Sequence, residues 1–258
     1  MIQDDILEFV QHGDKHFLHH LSIDCVIFGY HERQLKVLLL KWKNADKWSL
    51  PGGFIKLDEP LEEAASRILT ERTGLSQLFL QQFHTFGEPK RSERTEEDIA
   101  HLESVWRKKV PENHWLLKRT VSVGYYAVTE YSQVNPQPDY LSEECTWHDV
   151  DNIPKLVFDH NLIISEALKA LRIQINLQPI GYNLLSKKFT LPEIHDLYET
   201  IIGKALDRRN FSKKLLSLGI IKKLDEQKSI GAHRSPYLYK FDKRKYDKAL
   251  KEGIVLAF

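Results

Sequence analysis

The stretch that most limits what this chain can fold into is GGFIKLDEPLEEAASRILTERTGL, residues 52–75. Leu61, Ala64, Ala65, Ile68 and Leu69 recur at helical spacing and draw one apolar face. Glu59, Glu63, Arg67 and Glu71 run every fourth residue down another side. Asp58 or Glu59 is expected to cap this helix, Pro60 to sit in its first turn and Gly74 to end it. A one-sided helix needs a second layer against its apolar face.

Strand patterns around the helix supply that layer. In LSIDCVIFGYHERQLKVLLLKW, Ile23, Cys25 and Ile27 alternate with Ser22, Asp24 and Val26, which predicts a hairpin with HERQ as its polar turn. Further strands are predicted at residues 120–128 and 144–150, and a helix near 161–173. Strands mixed with few helices indicate an α+β fold class built as an α/β sandwich. Residues 88–115 are dense in charge and bracketed by prolines, so they read as an insertion with a short helix around 98–109. No apolar run approaches the roughly 20 residues of a membrane helix, VLLL at residues 37–40 being a short one. The acidic start MIQDDILEF lacks a signal-peptide layout, so a cytoplasmic location and no membrane partner are expected. Cys25 and Cys145 sit in strand patterns, which predicts reduced, half-buried thiols.

The net charge of +1 hides a gradient. Residues 176–258 hold 17 Lys+Arg against 9 Asp+Glu, or +8, leaving the first 175 residues at −7. Such asymmetry predicts two modules, the second facing a polyanion. Residues 162–175 have helical spacing, and Pro179 and Gly181 then break it, placing a linker at 176–188. The expected organisation is an extension at 1–20, a first domain at 21–175, the linker, and a second domain at 189–258.

The second domain reads as a winged helix-turn-helix. Thr190 and Glu193 form a capping box, and Ile194, Leu197, Tyr198 and Ile201 face inward on the first helix. GKAL is the turn, and Asp207 caps a second helix with Phe211, Leu215 and Leu218 facing inward. Arg209, Ser212 and Lys213 fall on the opposite side, with Arg208 and Asn210 in the first turn, where a recognition helix meets bases and phosphates. GIIKKL and YLYKF read as wing strands, with Lys228, His233 and Arg234 at the tip. The basic helix, basic tip and +8 balance predict binding to duplex DNA. An RNA or protein adaptor is the competing reading of this module.

The residue 52–75 stretch resembles the Nudix box. Gly53, Glu59, Arg67, Leu69, Glu71, Gly74 and Leu75 match seven defined positions of a fixed 23-residue frame. Ile68 and Arg72 stand where that family has glutamates. Nudix hydrolases hold divalent metals on clustered carboxylates of this helix. Ile68 offers no oxygen, and Arg72 places a positive charge where a dication would sit. Gly53, Glu59, Arg67 and Glu71 are therefore vestigial positions, with no catalytic residue, metal or cofactor expected. The alternative is an active metal-dependent hydrolase of a nucleoside diphosphate derivative, using Glu59, Glu62, Glu63 and Glu71. The resemblance implies a Nudix-like α/β/α sandwich with a mixed sheet and a pocket beside the helix. Candidates for that pocket are Trp48, Phe54, Phe86 and Tyr125, with Arg67 or Lys56 as anion partner. FDH at residues 158–160 reads either as a helix cap or as polar contacts.

Both domains together, with LDRRNF and LVFDH, resemble the Nudix-related transcriptional regulators. These include NAD-metabolism repressors that sense ADP-ribose and sugar regulators that sense arabinose. The resemblance implies a homodimer on a palindromic operator, released by a sugar, phosphosugar or nucleotide-sugar effector. The insertion at 88–115 is longer than the family's usual loop.

Overall fold

The structure is a computed structural model and describes residues 8–75, 79–139, 141–229 and 235–252. The chain divides into two units. The first comprises Met1–Phe28, Lys36–Ala127 and Ser132–Ala167; the second comprises Gly29–Leu35, Val128–Tyr131 and Leu168–Phe258. The fold class is α+β, as the sequence predicts.

The main sheet runs β3 (Trp48–Ser49), β2 (Gln34–Trp42), β1 (Phe17–His31), β6 (Val121–Glu130) and β5 (Phe79–Phe86). Off this path, β4 (Gly52–Lys56) pairs with β1, and β7 (Ser142–Asp149) pairs antiparallel with β2. The predicted four-residue turn is shorter in the structure. His31 and Gln34 extend the strands, because Glu32 and Arg33 adopt φ of 48° and 63° and close a tight two-residue turn. The alternation in β1 predicts one buried face, yet Ile23 to Phe28 are buried on both faces. Ile23, Cys25 and Ile27 join Leu38, Ile55, Val123 and Ala127 in one core. On the other face, Asp24 is buried in a polar network. Both cysteines are free and buried rather than half-buried, and burial pushes the Cys145 thiol up to about 12.

Helix α1 (Leu61–Thr73) lays Ala64, Ala65, Ile68 and Leu69 on that core. Its start corrects the predicted cap: Pro60 is the N-cap, and no side chain caps the helix. Glu59 is used otherwise, as described below. Gly74 ends the helix at φ 71°. Ile68 fits because residue 53 is glycine; a Cβ there would lie 3.1 Å from Ile68 Cδ1. The insertion forms α2 (Glu96–Trp106), two residues earlier than predicted, since Thr95 and Asp98 make a reciprocal capping box. Leu102 and Trp106 of α2 pack with Val10, Val105 and Leu116 in a second small core. Helix α3 (His160–Leu177) follows β7.

In the second unit, Thr190 and Glu193 cap α4 (Leu191–Ile202) reciprocally, and Gly203 ends it at φ 74°. Asp207 caps α5 (Arg208–Ser217) through Asn210 N–H at 2.7 Å. Phe211 and Leu215 are buried under α5, whereas Leu218, predicted to face inward, is only half-buried just beyond its end. The wing pairs β8 (Phe189–Thr190), β10 (Tyr237–Phe241) and β9 (Ile221–Gln227) in that order. A last helix, α6 (Lys243–Glu252), buries Tyr246 and Ala249 and has no counterpart in the sequence expectations.

Candidate functional site

A cavity of about 410 Å³ lies within the first unit, between the Gly52–Lys56 strand, α1, and the insertion. Strand β4 and helix α1 bring Phe54, Lys56, Arg67, Ile68, Glu71 and Arg72 to it; the insertion brings Arg91, Arg94, His101, Leu102 and Trp106. Five cations, Lys56, Arg67, Arg72, Arg91 and Arg94, line it against three acids, Asp24, Glu71 and Asp139. Phe9, Phe17, Trp42 and Phe158 add aromatic rings to the lining, and His101 stacks on Trp42 at 5.8 Å and 19°.

One end of the cavity is a closed polar network. Arg91 donates through Nε and Nη2 to both oxygens of Asp159 at 2.9 Å, and through Nη2 to Asp24 at 3.1 Å. Ser122 donates to the same Asp24 oxygen at 2.6 Å. His160 accepts the Leu50 N–H on Nδ1 at 3.0 Å, so its hydrogen sits on Nε2, 3.6 Å from Asp24. Burial holds the His160 pKa below its ordinary 6.5, with Asp24 and Asp159 pulling the other way, and the ring is neutral at pH 7. The FDH stretch thus supplies polar contacts: the Asp159 carboxylate goes to Arg91 rather than to a helix cap.

The rest of the cavity is unfinished chemistry. Arg72 Nε, Arg94 Nη1 and Trp106 Nε1 are buried with no hydrogen-bond partner. All three residues line this cavity. An unpaired buried donor costs about 1–3 kcal/mol, more when charged, so each favours an acceptor in the cavity. The Arg94 guanidinium lies 5.0 Å over the Phe158 ring, which favours the cation there. Cationic donors and aromatic rings in one cavity suit an anion that also carries a flat ring.

In the second unit, α5 turns its first residues outward. Arg208, Arg209, Asn210 and Lys213 are exposed and Ser212 is half-buried, all opposite buried Phe211 and Leu215. Lys223 of the wing sits 3.3 Å over the Tyr237 ring. His233 and Arg234 lie outside the described residues.

A model of the NUDIX domain matches residues 18–169, more than half of the chain. The chain belongs to the Nudix family. A model of the NrtR DNA-binding winged helix domain matches residues 181–241. This domain pair makes the protein a Nudix-related transcriptional regulator. The ADPR responsive transcriptional repressor NtrR of Acinetobacter baylyi is 28% identical over 234 residues, 88% of this chain and 84% of the relative. An ADP-ribose pyrophosphatase of Methanocaldococcus jannaschii is 27% identical over 144 residues, 55% of this chain and 70% of its own. Shewanella oneidensis NrtR complexed with a 27mer DNA matches with a TM-score of 0.67 at 27% identity, over 88% of this chain and 95% of that one.

On the Nudix helix, arginines hold the surviving box acids. Arg67 donates to Glu59 through Nε at 2.7 Å and through Nη2 at 2.8 Å, and holds the Phe54 carbonyl at 3.0 Å. That pairing holds the Glu59 carboxyl below its usual range. Glu71 faces Arg67 at 3.5 Å and Arg72 at 3.7 Å. Ile68 is buried in the core. The two surviving box acids therefore answer arginines, and among the described residues no three ligating side chains converge on this helix.

Of the six residues proposed from sequence around a pocket, the Nudix cavity gathers Phe54, Lys56 and Arg67. The other three pack elsewhere. Trp48 meets His148 edge-on at 4.5 Å, Phe86 packs on Phe83 and His84, and Tyr125 lies in the main core. Arg72, Arg91, Arg94, His101 and Trp106 line the cavity without having been expected there, whereas His160 belongs to the FDH stretch offered for polar contacts. The sequence signal for the first insertion residues was slight: Arg91 and Arg94 precede the Thr95 capping box in a run of mixed charge.

Proposed function

We propose that this chain is a transcriptional repressor that binds a nucleotide-sugar diphosphate of the ADP-ribose kind in the Nudix cavity and does not hydrolyse it. The observation that carries the proposal is the set of three unpartnered donors, Arg72 Nε, Arg94 Nη1 and Trp106 Nε1, in one aromatic-lined cavity. A diphosphate supplies acceptors and negative charge to the arginines, and a base supplies a flat face to the rings. Arg72 supplies the positive charge that a hydrolase would obtain from metal, without a metal to activate water. The relative from Acinetobacter is named for its response to ADPR, which supports the same ligand class. Two copies of the chain would read a two-fold operator with recognition helices roughly 34–36 Å apart, using Arg208, Arg209, Asn210, Ser212 and Lys213, with His233 and Arg234 at the wing tip.

The test is a titration of ADP-ribose, with and without a DNA duplex that the chain selects from a random pool. Coupling is reciprocal: a tenfold loss of DNA affinity on ligand binding appears as a tenfold loss of ligand affinity on DNA, about 1.4 kcal/mol each way. Binding in EDTA should equal binding in magnesium, and AMP release should match the uncatalysed rate. Turnover near 1 per second, an ordinary enzyme rate, would replace the repressor with the hydrolase. Equal ligand affinity with and without DNA would separate the cavity from the regulation.

A further inference from the structure

The second unit holds another group of polar side chains, two of whose buried atoms lack a hydrogen-bond partner. His195, Asp196 and Glu199 stand on α4, the helix that precedes the recognition helix. One ligating atom from each lies within 4.8 Å of the other two. His195 Nδ1 is 3.5 Å from Glu199 Oε2 and 3.8 Å from Asp196 Oδ1. The His195 residue is 3% exposed, and neither its Nδ1 nor Asp196 Oδ1 has a hydrogen-bond partner.

His195 Nε2 is 3.0 Å from the Leu206 carbonyl, which can only accept, so Nε2 carries the hydrogen. Nδ1 then faces two carboxylate oxygens and is open to a second proton or to a metal ion. Without that proton, three acceptors converge and none can donate to another. Arg33 Nη2 lies 3.2 Å from Asp196 Oδ1, from a side chain 72% exposed, without making a hydrogen bond there. It offsets the charge of Asp196 and leaves Nδ1 without a hydrogen-bond partner.

The supporting contacts are already in place. Leu206 accepts from His195 with its carbonyl and donates its N–H to Glu199 Oε1 at 2.8 Å. One backbone residue thus orients two of the three side chains, as outer contacts orient metal ligands. Leu206 directly precedes Asp207, the N-cap of α5, and the His195 ring meets Phe211 of α5 edge-on at 5.2 Å.

We propose that His195 Nδ1, Asp196 and Glu199 bind a divalent first-row cation of the zinc class, which ties α4 to the turn that starts the recognition helix. One imidazole nitrogen and two carboxylate oxygens suit zinc, at about 2.0–2.2 Å each, with a remaining position for water. Tetrahedral geometry at those lengths spaces ligand atoms by about 3.3 Å, so the observed 3.5 and 3.8 Å need a small contraction and the third pair, within 4.8 Å, closes by a side-chain adjustment. Magnesium and calcium prefer all-oxygen sets and fit less well.

The experiment uses the full chain, stripped with EDTA and dialysed, then titrated with zinc chloride by calorimetry and with cobalt(II) by visible absorption. One zinc ion per chain and a cobalt spectrum of low coordination number are expected. His195 is buried, so Asp196→Asn and Glu199→Gln carry the test; Gln still offers an oxygen to the Leu206 N–H. Each should weaken zinc about tenfold or more with an unchanged far-ultraviolet circular dichroism spectrum. Zinc should also slow hydrogen exchange at the Leu206 amide in the parent chain. Three results would overturn the proposal: no saturable zinc binding, the same affinity and stoichiometry in both variants, or nitrogen NMR showing both His195 ring nitrogens protonated at pH 7 in excess zinc.

Discussion

In the first unit, the Arg91 side chain is 4% exposed and spends four hydrogen bonds on Asp24, Asp159 and the Thr120 carbonyl. In the second, Arg208 and Arg209 stand exposed at the start of α5. The same guanidinium does different work in the two places. Buried, it acts in a low dielectric on partners of fixed geometry, where salt screens little and removal leaves charges stranded. Exposed, it acts on whatever polyanion arrives, and its contribution depends on released counterions. The difference is between an arginine fixed by buried partners and arginines left open to solvent.

Salt offers the widest test of that difference. Between 50 and 200 mM salt, DNA affinity should fall about a thousandfold or more if six or more phosphates are neutralised. Affinity for ADP-ribose should hardly move over the same range, because the cavity arginines are shielded from bulk ions. Parallel salt slopes for the two ligands would erase the distinction.

Stability gives the next largest contrast. Arg91→Ala strands Asp24 and Asp159 and should cost about 3–5 kcal/mol in urea unfolding, whereas Arg209→Ala should stay within about 0.5 kcal/mol. A small loss for Arg91→Ala would mean that its network is solvated. For DNA binding the ranking inverts. Arg209→Ala should weaken specific binding by about 1–3 kcal/mol if it reads a base edge. Unchanged binding by the double variant Arg209→Ala, Lys213→Ala would move the interface off α5.

The smallest effect is pH-dependent. Burial lowers the His160 pKa below 6.5 in the folded chain. The unfolded chain therefore takes up a proton near pH 6.5 that the folded chain refuses. The contribution of this site is full above that pH and is lost as pH falls toward the folded value. His160→Gln should flatten the stability profile in that window when unfolding is followed from pH 7.5 to 5. An unchanged slope would assign the acid sensitivity to the carboxylates.

Local signals were legible wherever they depend on a few neighbouring residues. The Thr190–Glu193 box, the Asp207 cap and the inward Phe211 and Leu215 stand as the spacing implied, because capping and helical periodicity are short-range. The cap predicted at Asp58 or Glu59 failed because Arg67, eight residues on from Glu59, competes for that carboxylate. Aromatic identity was a poor guide to the cavity: Trp48, Phe86 and Tyr125 serve packing, since a ring fills a core as readily as it lines a pocket.

The sequence alone determined the module order, the Nudix frame with Ile68 and Arg72 in place of acids, and a basic helix in a basic second half. Those are properties of composition and of spacing within one element. Only tertiary structure decided that residues 91–106 of the insertion meet β4 and α1 around one cavity, and that Arg72 Nε, Arg94 Nη1 and Trp106 Nε1 are left there without partners. Whether a donor is satisfied depends on groups distant along the chain and on exclusion of water. Arg91 shows the same dependence: its partners Asp24 and Asp159 lie 67 and 68 residues away, a relation carried by no local pattern.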